Sequence, residues 1–174
     1  FYEINEHTTF ADSEQIVKVL LQGEDMALIS EAGLPAVADP GANLVDLAHR
    51  HDIDVIPFVG PSSLMMALMS SGMNGQSFAF NGYLPVKPHE RKPKIKELEK
   101  RSRNGRQSQI FIETPYRNDA MLNDILQGCE PSTKVCIAAD ITLPSAYIKT
   151  RTVEQWRKNT ITIGKRPCVF ILMA

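Results

Sequence analysis

A chain of 174 residues that is 43% hydrophobic and 22% charged can bury a sizeable core and fits one large domain or two small ones. Its net charge of −1 singles out neither a nucleic-acid nor an acidic partner, and no run of about 18 apolar residues exists to cross a membrane as a helix. Cys129, Cys136 and Cys168 show no paired pattern, which fits a reducing, cytoplasmic setting, and the four scattered histidines match no ligand spacing, so no metal is expected.

Residues 9–21 read as a helix, because Ile16, Val17, Leu20 and Leu21 recur at helical spacing and Gly23 ends the run. The short apolar run Met26–Ile29 predicts a buried strand. A loop rich in glycine and proline follows over 30–41. Residues 42–50 predict a helix, 54–59 a second strand, and Gly60-Pro-Ser-Ser63 a loop in which Ser62 or Ser63 can cap a helix over 64–71. Residues 77–81 predict a third strand. Strands and helices alternating over short loops argue for an α/β protein whose first sheet is mostly parallel. Ligands of such sheets bind at the carboxyl ends of strands, where the loops at 30–41 and 60–63 gather.

Gly82-Tyr-Leu-Pro85 reads as a linker, and the expected division is a first domain over 1–83 and a second over 84–174. Between Lys87 and Arg106 stand nine basic and three acidic residues, a local charge of +6 that leaves −7 for the rest of the chain. Strands are then expected over 109–113, 134–141 and 167–173, with a helix over 118–126. Thr152-Val-Glu-Gln155 resembles a capping box ahead of a short helix reaching Lys158.

The loop after Ile29 is neither a dinucleotide fingerprint nor a P-loop, since no lysine stands ready for terminal phosphates. Backbone near Gly33 can approach a nucleoside-like ligand, because glycine has no Cβ, and Glu31 or Asp39 can meet an ammonium or ribose hydroxyls. An ordinary strand-to-helix turn explains the same residues. Gly60-Pro-Ser-Ser63 offers a helix start to a carboxylate, or simply caps the helix. Met65, Met66, Met69 and Met73 read as core filling. The basic block can hold RNA phosphates or form a solvated helix with pairs such as Glu97 and Arg101. No aromatic residue interrupts it, so base stacking is not evident there. Glu113-Thr-Pro-Tyr-Arg117 gathers a carboxylate, a phenol and a guanidinium at a strand end, either as a ligand-facing loop or as a local ion pair.

Three segments in order are more specific than this pattern. Ile29-Ser-Glu-Ala-Gly-Leu-Pro35, Ala38-Asp-Pro-Gly41 and Val55-Ile-Pro-Phe-Val-Gly-Pro-Ser62 resemble the tetrapyrrole methylase superfamily, and within it the ribosomal RNA small subunit methyltransferase I family. Gly82-Tyr-Leu-Pro85, Phe111-Ile-Glu-Thr114 and Asn5-Glu6 resemble later and earlier segments of that family. The resemblance implies two α/β domains with S-adenosylmethionine in the cleft between them, a homodimer, and methylation of a ribose 2′-hydroxyl in ribosomal RNA. It also implies that Ser30, Glu31, Ala32, Gly33, Pro61, Ser62 and Ser63 line the cofactor site. Tyr83 and Leu84 would lie near it, and Pro167, Cys168 and Val169 would match the strand flanking adenine. An upstream strand and glycine-bearing loop of the family are missing, so several tens of residues are expected to precede Phe1.

This chain departs from the family at Glu31 and Leu34, which replace Asp and Thr. Ala139-Asp-Ile-Thr-Leu143 replaces an Arg-Glu-Leu-Thr-Lys segment, and Gly164-Lys-Arg-Pro167 replaces an Arg-Lys-Gly-Glu segment. The last two changes fall where substrate would be chosen. A ribose hydroxyl must lose its proton, so Glu113 or Asp140 is the candidate base, with Arg117 positioning a phosphate and Lys92 and Lys96 contributing charge to RNA. Two other readings stand beside this one: a methylase of a tetrapyrrole or other small molecule, and a non-catalytic RNA-binding or regulatory module on the same scaffold.

Overall fold

The helical spacing after Thr9 is realised as α1 (Phe10–Leu20) together with its cap. Thr9 Oγ1 accepts from the Asp12 amide at 3.2 Å, and the Asp12 carboxylate accepts from the Thr9 amide at 2.9 Å. Ile16 and Val17 on its inner stripe pack against Leu44 and Leu47 of α2 (Ala42–Arg50), with Ile4, Leu20, Met26 and Ile53 around them. Gly41 opens α2 with φ +126°, and a Cβ there would stand 2.6 Å from Leu28 Cδ2, so only glycine fits. These elements come from a computed structural model that describes all 174 residues, and they belong to the first of two compact units, Phe1–Ser62 and Ser63–Ala174.

The strands expected at Met26–Ile29 and over 54–59 do not form. Neither segment pairs with another, and the backbone hydrogen bonds near them close turns, such as Ala36 N to Pro40 O at 3.3 Å and Ile53 N to Ala48 O at 2.9 Å. A strand is completed only by a neighbour's N–H and C=O groups, however apolar its own sequence. Without that neighbour Ile29, Ile56 and Val59 lie open, and Phe58 is 89% exposed.

The second unit holds the chain's only sheet. Its strands are β1 (Phe78–Tyr83), β2 (Ser108–Glu113), β3 (Lys134–Ala139), β4 (Tyr147–Thr152) and β5 (Cys168–Met173), in the order β1-β2-β5-β3-β4. Only β1 and β2 run parallel, joined by α4 (Pro88–Gly105). The remaining pairs are antiparallel, so the sheet is mixed. Side chains alternate across β5: Cys168, Phe170 and Leu172 enter one core, Val169 and Ile171 the other. α3 (Ser63–Ser71) covers the second face with Leu64, Ala67 and Leu68. α4, α5 (Asn118–Gly128) and α6 (Val153–Lys158) cover the first, where Phe111 stacks on its cross-strand partner Phe170 at 5.7 Å between centroids.

Several expectations shift for packing reasons. α3 and β1 belong with the second unit, because β1 pairs with β2 and α3 packs on the sheet, so the division falls at Ser62/Ser63 and not after Tyr83. The expected linker is the end of β1, followed by Leu84, which is 2% exposed in the core. Met65 and Met69 are exposed rather than core filling, although Met73 packs against the core. The capping box at Thr152 forms and starts α6, whose Trp156 is fully buried and donates from Nε1 to Val135 O at 2.9 Å. The charged block becomes α4, and a buried pair docks it on α5. Arg91 Nε donates to Asp124 Oδ2 at 2.7 Å, and Arg91 Nη1 donates to Val86 O at 2.8 Å.

Candidate active site

The register of the sheet gathers the second unit's polar residues at one end. Glu113 closes β2 opposite Cys168, Cys168 stands opposite Ala139, and Ala139 opposite Tyr147. Asp140 follows Ala139, and its amide donates to Pro167 O at 3.0 Å. Two strand spacings separate β2 from β3, so Glu113 and the end of β3 lie about 10 Å apart at the backbone. The two carboxylates therefore occupy separate environments.

Glu113 has a fully buried side chain on which one oxygen does all the work. Its Oε1 accepts from Arg117 Nη2 at 2.6 Å, Arg117 Nε at 3.0 Å and the Thr114 amide at 2.6 Å. Its Oε2 is buried and meets no donor from the chain. Hydrogen bonding to this carboxylate raises the Arg117 pKa above its ordinary value, so the guanidinium is a permanent cation. The ion pair between residues 113 and 117 thus forms, and it leaves one buried acceptor atom without a donor.

Asp140 adopts φ +51° and Thr142 φ +76°, the latter costly for a β-branched residue. The turn is held by Leu143 N to Asp140 O at 2.9 Å. Asp140 Oδ2 accepts from Ser145 Oγ at 3.0 Å and lies 3.9 Å from Arg166 Nη1. The segment leading into β5 is clamped to the start of α5. Asn118 Nδ2 donates to Gly164 O at 3.0 Å and to Arg166 O at 2.7 Å, while Asp119 accepts from the amides of Ile163 and Gly164 at 2.7 and 3.2 Å. Asn118 Oδ1, also buried, meets no donor. Asn118 and Asp119 looked in sequence like an unremarkable helix start, and their contacts 44 to 48 residues away carry no local signal.

The residues inferred for the cofactor fall on both units. In the first unit Ser30 Oγ donates to Ala32 O at 2.9 Å and closes a turn that leaves Glu31, Ala32 and Gly33 exposed. Gly33 has φ +76° with nothing within 4 Å of the position a Cβ would take, and the Glu31 carboxylate has no partner in the chain. Pro61 is exposed and Ser62 half-buried, while Ser63 opens α3 in the second unit. Tyr83 and Pro167 are exposed. Leu84, Cys168 and Val169 have their side chains in the two cores, so they shape the sheet end rather than present side chains to a ligand. Burial pushes the Cys168 thiol up to about 12. Of the α4 lysines, Lys96 is exposed, but Lys92 is engaged by Gln127 at 3.1 Å and Asp124 at 3.6 Å. A shallow cavity of about 400 Å³ lined by Tyr2, Asn5, Thr8, Asp12 and Gln15 contains none of these residues. No cluster of metal-ligating side chains forms, and no helix is long and apolar enough to cross a membrane.

No family model matches the chain. Over 141 residues it is 35% identical to ribosomal RNA small subunit methyltransferase I of Vibrio cholerae, an alignment that covers 81% of this chain and 48% of that protein. It is also similar to ribosomal RNA small subunit methyltransferase I of Mesorhizobium japonicum, 32% identical over 157 residues that cover 90% of this chain and 49% of that protein. It spans about half the length of the curated relatives it matches. Among solved structures it resembles the methyltransferase CobJ with a TM-score of 0.61 at 17% identity, covering 94% of this chain and 70% of that one. It also resembles uroporphyrin-III C-methyl transferase from Thermus thermophilus complexed with S-adenyl homocysteine, with a TM-score of 0.51 at 18% identity, covering 92% and 72%. At these identities the structures establish a shared α/β fold.

Proposed function

We propose that the protein is an S-adenosylmethionine-dependent methyltransferase of ribosomal RNA that transfers the methyl group to a ribose 2′-hydroxyl. The observation that carries this reading is the 35% identity to a ribosomal RNA methyltransferase over four-fifths of the chain. The donor set fits the cofactor: the exposed turn at Ser30, Glu31, Ala32 and Gly33 offers a carboxylate to an ammonium and a position without Cβ for close approach. Pro61 and Ser62 are the other proposed binding residues of the first unit; those of the second are Ser63, Tyr83 and the backbone around Pro167, with Leu84, Cys168 and Val169 in the cores below that unit's sheet end. When bound, the cofactor supplies an electrophilic methyl group on a sulfonium.

The chain's own task is then to align the hydroxyl for in-line attack and to accept its proton. The proposed proton acceptors are Glu113, whose Oε2 is buried and has no donor, and the Asp140 carboxylate, steadied by Ser145. Arg117, fixed by Glu113, would hold a substrate phosphate, and Lys96, with Lys92 at the edge of its ion pair, would add charge along α4. The enzyme would act in the cytoplasm as a homodimer.

A second reading, methylation of a tetrapyrrole-like small molecule, has beside it one structural neighbour that is named a uroporphyrin-III C-methyl transferase. The deciding experiment is radiolabelled methyl transfer to small-subunit RNA by the full-length protein, with calorimetry of cofactor and RNA binding alongside. Label in RNA ribose is expected, with Glu113→Gln or Asp140→Asn slowing transfer by about 10²-fold or more. Wild-type rates in both variants would remove the base assignment. RNA binding without cofactor binding would instead make the protein a non-catalytic RNA-binding module.

A further inference from the structure

Tyr116 stands at the end of β2 with its ring 79% exposed. It sits in a 3-10 turn (Pro115–Arg117) whose shape is fixed from both sides. Proline restricts the turn's first residue, Arg117 N donates to Thr114 O at 2.9 Å, and the Arg117 side chain is tied to Glu113. Lys165 Nζ lies 4.9 Å from the ring centroid, and Arg166 lies 5.9 Å from the ring of Tyr147 nearby. The loop that carries both cations does not depend on these contacts for its position, because Asn118 and Asp119 clamp it through four hydrogen bonds.

Three acids and three cations meet at this corner. Glu113 pairs with Arg117, Asp140 lies 3.9 Å from Arg166, and Asp119 accepts from two amides, which leaves Lys165 as the cation outside any ion pair. What is presented is a rigid aromatic ring with Lys165 against it and Arg117 and Arg166 close by. A flat ring with adjoining cations matches the π-face and phosphate of an unpaired nucleotide, and a ring held in place in advance loses little entropy on stacking. Bases within a duplex are already stacked, so the match is to a loop or single strand. The basic helix α4 has charge without aromatics; this corner has both.

We propose that Tyr116 is a stacking platform for one unpaired base of the RNA substrate, with Lys165 bracing the ring and contacting the adjacent phosphate. The inference rests on the RNA reading above and adds where a base is held. It is tested by titrating the full chain into short single-stranded oligoribonucleotides carrying one 2-aminopurine, whose fluorescence is quenched by stacking. Wild-type protein is expected to quench. Tyr116→Ala abolishes quenching and raises Kd about 5- to 150-fold, and Tyr116→Phe preserves both. Lys165→Ala lowers the slope of log K against log salt by about one. Because the ring is exposed, melting of Tyr116→Ala should match the wild type, which separates lost stacking from lost fold. If the wild type binds and Tyr116→Ala binds and quenches equally, or if duplex RNA binds as tightly as single strands, the platform is wrong while the RNA reading stands. If the wild type binds no oligoribonucleotide, both fall.

Discussion

In Phe1–Ser62 two helices bury Ile16, Val17, Leu44 and Leu47 against each other, and the two most strand-like segments remain without a ladder. In Ser63–Ala174 a five-stranded sheet buries seventeen residues on one face and eight on the other, so β3 and β5 are covered on both sides. The sequences of Met26–Ile29 and Cys168–Met173 are both apolar runs. What separates them is the supply of hydrogen-bonding neighbours: β5 lies between β2 and β3, and the earlier segment has none. Apolar content therefore marks where a strand can be, and pairing decides whether it is one.

Hydrogen exchange should break this contrast most sharply if it is wrong. Amides of β3 and β5 should exchange on the order of 10³-fold or more slowly than those of Met26–Ile29 and residues 54–59, because their opening requires global unfolding. Equal protection would mean that the first unit finds ladder partners in solution. A core substitution in each unit gives the next largest effect. Trp156→Ala should cost about 3–5 kcal/mol in chemical denaturation, since it removes a fully buried ring and strands Val135 O, whereas Leu47→Ala, in a cluster of four buried residues, should fall near 2 kcal/mol.

The smallest expected effect sharpens the picture of the second unit, which holds all three cysteines. Burial pushes the thiols of Cys129 and Cys168 up to about 12, and Cys136 upward as well. At pH 8 iodoacetamide should leave the folded protein unmodified and label three sites once it is unfolded. When unfolded, Cys129 and Cys168 ionise near 9.0, while in the folded protein these two keep their protons to about 12. The folded chain therefore binds more protons across that window, and stability should fall as pH rises through it. Alkylation of the native protein at pH 8 would show that these strands open more readily than their burial implies.

Local chemistry made much of this legible from the sequence. The cap at Thr152, the helices expected over 9–21, 42–50 and 118–126, and the strands β2, β3 and β5 were all readable. A helix closes its hydrogen bonds within four residues, and these strands are flanked by clear turns. The resemblance carried by the loops at 30–41 and 60–63 was readable too, because it lies in residue order alone. Strand β4 was not: Tyr147-Ile-Lys-Thr-Arg-Thr152 alternates polar and apolar residues weakly, and it is a strand because β3 offers it an edge. Nor was the corner that brings Tyr116 beside Lys165, or the clamp of Asn118 and Asp119 on residues 163–166, for these are contacts between segments more than forty residues apart. Sequence by itself determined the elements whose partners are local and the loops whose residues name a family. Tertiary structure alone decided which apolar runs became strands and which charged and aromatic side chains met, because those outcomes depend on neighbours that only folding supplies.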